Sequence, residues 1–314
     1  MADLEVNQKN WLEDFDLEPC EEISHVEEVA LETIGTRAGA YTGSVQNAPG
    51  CSTMVANGLS QQLIHEVNLM IPGVLVSFDE LNVSLGNAAY PFLQPPAKEA
   101  LAKAIRDRGT TLRVNSAYRT IVQQRLLYGW RGGRGGCPYG LVAPPGRSNH
   151  QGGLAIDIND HFGWRPHLER YGWKWFGNAD KPHFTYEVNG TQDIRNNAIK
   201  AFQRLWNRNH PDDRIAEDGI YGNNTEARIN RTSVKGFTIA PWDTEPRLLR
   251  VSRPMMEGSD VIKVQEALQA KGFDIFPDGL FGNGTASIVK QFQEGEGLVV
   301  DGIVGFNTRS KLFA

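Results

Sequence analysis

Strict alternation of apolar and polar residues marks two short runs, Leu154-Ala155-Ile156-Asp157-Ile158 and His183-Phe184-Thr185-Tyr186-Glu187-Val188. Alternation of this kind predicts half-buried strands. In the first, Leu154, Ile156 and Ile158 share a face and leave Asp157 on the other. In the second, Phe184, Tyr186 and Val188 form the apolar face, opposite His183, Thr185 and Glu187. Each strand therefore turns a potential metal ligand away from its apolar side. Upstream, Pro95 to Arg108 begins with proline and stops at Gly109, which predicts a helix. Thr111 to Asn115 is a further strand candidate, and Thr120 stands where the cap of a helix through about Tyr128 belongs.

The last third of the chain repeats itself. Asp278-Gly-Leu-Phe-Gly-Asn-Gly-Thr285 recurs 23 residues on as Asp301-Gly-Ile-Val-Gly-Phe-Asn-Thr308, and an earlier copy reads Asp218-Gly-Ile-Tyr-Gly-Asn-Asn-Thr225. The Asp-Gly pairs predict turns, the threonines cap following helices, and runs such as Val261 to Leu268 supply helical neighbours. Residues 232–256 contain Pro241, Pro246 and Pro254 and read as a linker. The expected organisation is an extension over 1–60, a catalytic unit over 61–190, a partial repeat over 191–231, the linker, and a repeat domain over 257–314. The fold class is α+β: a small antiparallel sheet with flanking helices, followed by an all-α unit of the three-helix type.

Charge sharpens the first boundary. Of 37 acidic and 32 basic residues, residues 1–37 hold 11 acids and only Lys9 and Arg37 as bases, so the remainder carries 26 acids against 30 bases. The acidic segment and the uncharged Gly/Ser/Asn/Thr-rich stretch after it predict a poorly ordered extension through residue 60. Unclustered cations exclude a nucleic-acid binder and suit loose association with an anionic polymer. No run of about 18 apolar residues predicts a membrane span, and Met1-Ala2-Asp3-Leu4-Glu5 does not open a readable secretory signal. Cys20, Cys51 and Cys137 are odd in number and widely spaced, which predicts no complete disulfide framework. The glycine-rich stretch 129–146 lacks phosphate-loop spacing and reads as a loop or flap.

Candidate chemistry concentrates in Ser148-Asn149-His150-Gln151-Gly152-Gly153-Leu154-Ala155-Ile156-Asp157 and Asp180-Lys181-Pro182-His183. Two imidazoles and one carboxylate suit a catalytic zinc with a fourth position for water. His150 and Asp157 would face opposite ways on one straight strand, but Gly152-Gly153 lets the chain turn between them. Ser148 lacks the base and orienting acid that a serine nucleophile needs.

These two segments, with Ser116-Ala-Tyr118-Arg119-Thr120 and Gln124 upstream, resemble the zinc D-alanyl-D-alanine carboxypeptidases of the VanY type over roughly Gln94 to Val188. The resemblance implies His150, Asp157 and His183 as zinc ligands and Asp180 as the acid/base. It implies Arg119 as the holder of charge on substrate or transition state, with Ser116, Tyr118, Gln124 and Ser148 near the substrate. Glu is usual where this chain has Asp180, and Trp173-x-Trp175-Phe176 is similar to the related phage-type L-alanyl-D-glutamate peptidases. Glu187 is an alternative base or a partner behind a ligand. His161 and His167 read as spare surface histidines, and Trp164, Trp173 and Trp175 as core or pocket wall.

The repeat over 257–314 resembles the helical peptidoglycan-binding module, and 191–231 resembles a partial or diverged copy that either packs on the catalytic unit or binds wall as well. Together they imply a zinc hydrolase of peptidoglycan stem peptides, working on muropeptides at the cell wall or periplasm. D-alanyl-D-alanine carboxypeptidase activity is expected ahead of L-alanyl-D-glutamate endopeptidase activity, and a non-catalytic wall-binding protein is the rival from another class.

Overall fold

The structure is a computed structural model and describes residues 41–314; the acidic segment lies outside the described residues. In chain order the elements of the catalytic unit are α1 (Asn57–Met70), β1 (Val76–Ser77), β2 (Val83–Leu85), β3 (Phe92–Leu93), α2 (Pro95–Arg108), β4 (Leu112–Ser116), α3 (Ile121–Trp130), β5 (Ala155–Ile158), α4 (His161–Arg170), β6 (Trp173–Trp175) and β7 (His183–Tyr186). The helices α5 (Arg195–Asn209) and α6 (Asn223–Arg231) follow. The chain ends with β8 (Met256–Glu257), α7 (Ser259–Ala270), β9 (Leu280–Phe281), α8 (Asn283–Gly295) and α9 (Phe306–Leu312).

The predicted signals operate where they stand. Pro95 and Pro96 open α2, and Gly109 closes it in the left-handed region at φ 71°. Thr120 and Gln123 form a reciprocal capping box on α3. The α+β class holds, with one difference in the sheet. Its order is β2-β4-β5-β7-β6, and β2 joins β4 in parallel while every other pairing is antiparallel.

One face of this sheet buries Leu112, Val114, Ile156, Ile158 and Phe184 against Leu101 and Ala104 of α2 and Trp164 and Leu168 of α4. Alternation then leaves Asp157 and His183 on the other face. A second core fills the space between helices: Leu59, Leu63 and Val67 of α1, Ile121 and Leu126 of α3, and Ile199, Phe202 and Leu205 of α5.

Two expected boundaries move. Residues 41–60 are packed: Val45, Val55 and Leu59 enter the helical core, Val45 N donates to Thr232 O at 2.9 Å, and Cys51 is disulfide-bonded to Cys137. A few apolar anchors and one cross-link order a stretch whose average composition reads as linker. The expectation of no complete framework therefore missed a real bridge between residues 86 apart. Residues 232–256 are a strap in place of a free linker. Phe237 and Trp242 are buried, Arg247 stacks on Trp242 at 3.6 Å, and its guanidinium bonds Asp260 (2.9 and 3.1 Å) and Gln61 Oε1 (2.7 Å). Prolines here stiffen a docked segment. Finally, 191–231 shares its core with α1 and α3, packing on the catalytic unit.

All three Asp-Gly turns are held by one device. Gln203, Gln265 and Gln293 each accept a hydrogen bond from the turn glycine, Gly219, Gly279 or Gly302, at 2.8 Å. The same amides donate to Asp218, Asp278 and Asp301 Oδ1 at 2.9, 2.8 and 2.9 Å, and reach Thr225, Thr285 and Thr308 Oγ1 at 3.1 Å. The glycines sit at φ 72°, 75° and 76°, which explains why each turn has glycine there.

Glu66 of α1 is fully buried and bonds Arg204 Nε (2.8 Å) and Arg208 Nη2 (3.2 Å) of α5, both of which reach solvent. The asymmetry predicts unequal costs. Removing both arginines strands a buried carboxylate and costs about 3–5 kcal/mol. Glu66→Gln leaves the arginines free to hydrate and costs about 1–2 kcal/mol. Urea unfolding of the two variants checks the order.

Candidate metal centre

Strand register builds the site. Asp157 of β5 pairs directly with His183 of β7, so the two side chains leave the sheet together. On the other side of β5, Asp157 faces Ser116, where the pairing with β4 shifts register. That irregularity ends β4 and swings the following residues across the site: Arg119 N donates to His150 O at 3.1 Å.

His150 arrives from a different direction, on a 3₁₀ turn over Asn149–Gly152 that closes at Gly153 with φ 67°. The left-handed backbone calls for glycine at 153, and a Cβ there would lie 2.7 Å from Leu75 Cδ2, so that side chain would have to shift. The turn resolves the seven-residue spacing of His150 and Asp157 as expected from Gly152-Gly153.

Three donor atoms converge. His183 Nδ1 lies 2.9 Å from Asp157 Oδ1, and His150 Nε2 lies 3.2 Å from both. Ligands around a tetrahedral ion at bonds of about 2.0–2.2 Å are separated by roughly 3.3 Å. The triangle therefore has the size of a metal face. Its chemistry fits as well. His150 Nδ1 is 2.7 Å from the carbonyl oxygen of Ala117, which can only accept, so Nδ1 carries the proton and Nε2 offers its lone pair to the cluster. Burial pushes the His150 imidazole down to about 4, against the pull of Asp157, so it stands neutral as a ligand must. Burial works to raise the Asp157 carboxyl, but the charge and hydrogen bonds of His150 and His183 hold it well below the usual carboxylate range. Among the described residues these three form the group able to hold a metal ion.

Two more predicted residues border the triangle. Asp180, half-buried on a 3₁₀ turn over Asn178–Asp180, feels the charges of Asp157, His183 and Arg119. Burial first, and then Asp157, raise its carboxyl to about 6. Arg119 points Nη2 at Asp157 Oδ2 (3.4 Å) and is steadied by Ser116 Oγ (3.0 Å) and Gln124 Oε1 (3.0 Å). Burial lowers its pKa, and Asp157 and Asp180 oppose that.

The expected substrate contacts are corrected in part. Tyr118 is buried in the helical core, where burial raises its phenol, and its backbone bridges Tyr90. Gln124 is fully buried, bonding Arg119 and Ala143 O (2.6 Å). Ser148 is buried at the start of the His150 turn. Ser116 and Gln124 position Arg119, while Tyr118 and Ser148 are buried; strand and helix periodicity alone does not reveal that these polar residues face inward. Glu187 is exposed, accepts from Asn149 Nδ2 at 3.4 Å and acts on Arg195, outside the triangle. His167 is tied to Asp107 at 2.6 Å, Trp164 and Trp173 are core residues, and Trp175 bonds Lys181 O at 2.7 Å. Reasoning from residue types missed the Ala117 carbonyl, which any residue could supply, and Phe176, whose ring packs edge-on to His183 at 5.4 Å.

Comparison with known proteins bears on this centre. Residues 94–186 match the VanY family model, described as D-alanyl-D-alanine carboxypeptidase, and residues 257–312 match the model of a peptidoglycan binding domain. The chain is similar to N-acetylmuramoyl-L-alanine amidase CwlL of Bacillus licheniformis, 37% identical over 131 residues, covering 37% of this chain and 34% of that protein. A "Probable N-acetylmuramoyl-L-alanine amidase" of the same organism is 33% identical over 110 residues, 32% of this chain and 30% of its own length. The chain thus spans about a third of these curated relatives.

Proposed function

We propose that this chain is a zinc peptidase that hydrolyses peptidoglycan stem peptides, acting as a D-alanyl-D-alanine carboxypeptidase and held on the wall through its C-terminal domain. The convergence of His150, Asp157 and His183 beside Asp180 and Arg119 carries the reading. The carboxypeptidase family match over the same segment, and the peptidoglycan binding domain match beside it, support it.

A zinc ion, if held by the three donors, would supply Lewis acidity and would lower the pKa of water from about 15.7 to about 7. The chain's own groups supply the rest. Asp180 accepts the proton of the attacking water and returns it to the leaving amine, a transfer that a carboxyl poised near neutral pH performs better than an ordinary one. Arg119, fixed by Ser116 and Gln124, places a permanent positive charge beside the reacting carbonyl or the substrate's terminal carboxylate. His150, locked by the Ala117 carbonyl, keeps one tautomer throughout. The Cys51–Cys137 bridge suits an oxidising compartment, in keeping with action at the wall or in the periplasm. Among the described residues no helix is long and apolar enough to cross a membrane.

Digestion of purified muropeptides with zinc present, followed by mass spectrometry, tests the reading. Loss of one terminal alanine is the expected product. Cleavage between L-alanine and D-glutamate would assign the endopeptidase activity that the shorter Asp180 side chain favours as a second reading. Release of the whole stem from the sugar would align the chain with the amidase relatives, and no product at all would leave a wall-binding protein.

A further inference from the structure

Residues 191–231 fall outside the segment that matches the peptidoglycan binding domain, yet their turn is built in the same way. Beyond the shared glutamine clamp, Asn207 Nδ2 donates to Ile215 O at 2.8 Å, just as Gln269 Nε2 donates to Ile275 O at 3.1 Å. The outer surfaces correspond too. Gly219 and Gly279 are buried beneath Ile220 and Leu280, which stand 63% and 38% exposed. Packing on the catalytic unit occupies α5, whose Ile199, Phe202 and Leu205 lie in the helical core. Ile215 and Tyr221 of the turn lean on that core too, but Ile220 between them stays on the open side. There a cleft of about 580 Å³ opens, lined by Ile215, Ala216, Ile220, Gly222, Asn223 and Asn224 among others.

We propose that this turn is a second peptidoglycan-contact surface, built into the catalytic unit, and that it takes the N-acetylated glycan strand. The proposal rests on the reading of 257–312 as wall-binding. The lining chemistry points to a neutral ligand. Its one charged residue is Asp218, whose Oδ1 is already engaged by Gln203 Nε2 and Ile220 N at 2.9 Å each. No lysine or arginine lines the cleft to pair with an acidic stem peptide. Exposed Ile220 offers an apolar platform for a sugar ring, and the Asn223 and Asn224 amides offer donors and acceptors that match acetamido and hydroxyl groups.

Position gives the second surface a use. A Cβ on Gly146 would lie 3.0 Å from Ile199 Cδ1 and 3.7 Å from Tyr221 Cβ, so the repeat abuts the loop that leads directly into Ser148 and His150. Arg125 of α3 bonds Glu226 of α6 at 3.0 Å, and fixes the unit from the other side. A strand seated on this turn is held at a set distance from the donor triangle. With the C-terminal domain engaged as well, the chain grips the wall at two points, and the second contact forms at high effective concentration.

Co-sedimentation of the full chain with purified sacculi tests this, using Ile220→Glu, Leu280→Glu and the double variant, each checked for folding by circular dichroism. The expected result is a weakening of about 10-fold for each single variant and on the order of 10²-fold for the double. An N-acetylglucosamine tetramer should displace the Leu280→Glu protein from sacculi. Full binding by Ile220→Glu with loss in Leu280→Glu overturns the second surface while leaving the C-terminal anchor intact. Full binding by both single variants and the double overturns the wall-binding reading itself. Loss in Ile220→Glu without competition by the tetramer overturns the glycan assignment.

Discussion

His183→Ala is expected to abolish metal binding and the proposed hydrolytic activity together and to leave sacculus binding intact. His183 supplies one corner of a triangle whose sides are 2.9 and 3.2 Å, and among the described residues His161 and His167 are no substitute: both stand on α4, on the far side of the sheet. Two remaining donors do not hold a catalytic zinc against buffer, so metal content by mass spectrometry falls from about one ion per chain to near none. Turnover of muropeptide falls by on the order of 10³-fold or more, since water at the site returns to its ordinary acidity. Stability supplies an independent readout. A ligand that binds only the folded chain adds about 4 kcal/mol at a thousand times its Kd. Added zinc should therefore raise the melting temperature of the parent protein and leave that of His183→Ala unmoved. Activity that survives in a metal-free variant would remove the triangle from the mechanism.

How much of this centre could be read in the sequence follows from which interactions are local. Asp157 and His183 were legible because strand alternation alone turns both away from a core of Ile156, Ile158 and Phe184. His150 was legible because Gly152-Gly153 provides a turn that no other pair would allow so readily. What supports them was not. The Ala117 carbonyl that sets the His150 tautomer belongs to the backbone, and the burial of Tyr118 and Gln124 depends on helices that start far upstream and far downstream in the chain, at Asn57 and Arg195. The same holds on the larger scale. Composition hid the order of 41–60, where Val45, Leu59 and Cys51 do the packing among polar neighbours. It also hid the strap over 232–256, where Trp242 and Arg247 outweigh the prolines. The Asp-Gly turns were visible as a repeat, but their clamp is a glutamine 9 to 16 residues before the turn glycine, a spacing visible only once the three turns are laid over one another.

Asp180→Asn separates the proton carrier from the metal site. The variant keeps its metal, because His150, Asp157 and His183 are untouched, and loses on the order of 10²–10⁴-fold in turnover. Its pH behaviour is the sharper test. Burial and the neighbouring Asp157 raise the Asp180 carboxyl to about 6, with His183 and Arg119 pulling the other way. A base must be ionised, so turnover of the parent protein rises with pH through this group and levels off above it; a bound cation lowers the midpoint below 6. Asp180→Asn should lack that acidic limb. Stability of the metal-free chain runs in the opposite direction. The unfolded carboxyl titrates near 3.9 and the folded one near 6, so the folded state holds the proton more tightly. The stabilisation is fully present below about 4 and is lost as pH rises through about 6. Metal-free Asp180→Asn should thus equal or exceed the metal-free parent in stability at pH 7 while being nearly inactive with metal. Asp180→Glu should recover a large part of the activity with the acidic limb restored, since it keeps the carboxyl and adds one methylene. Turnover of Asp180→Asn within about 10-fold of the parent, with an unchanged pH profile, would assign the proton transfer to another group.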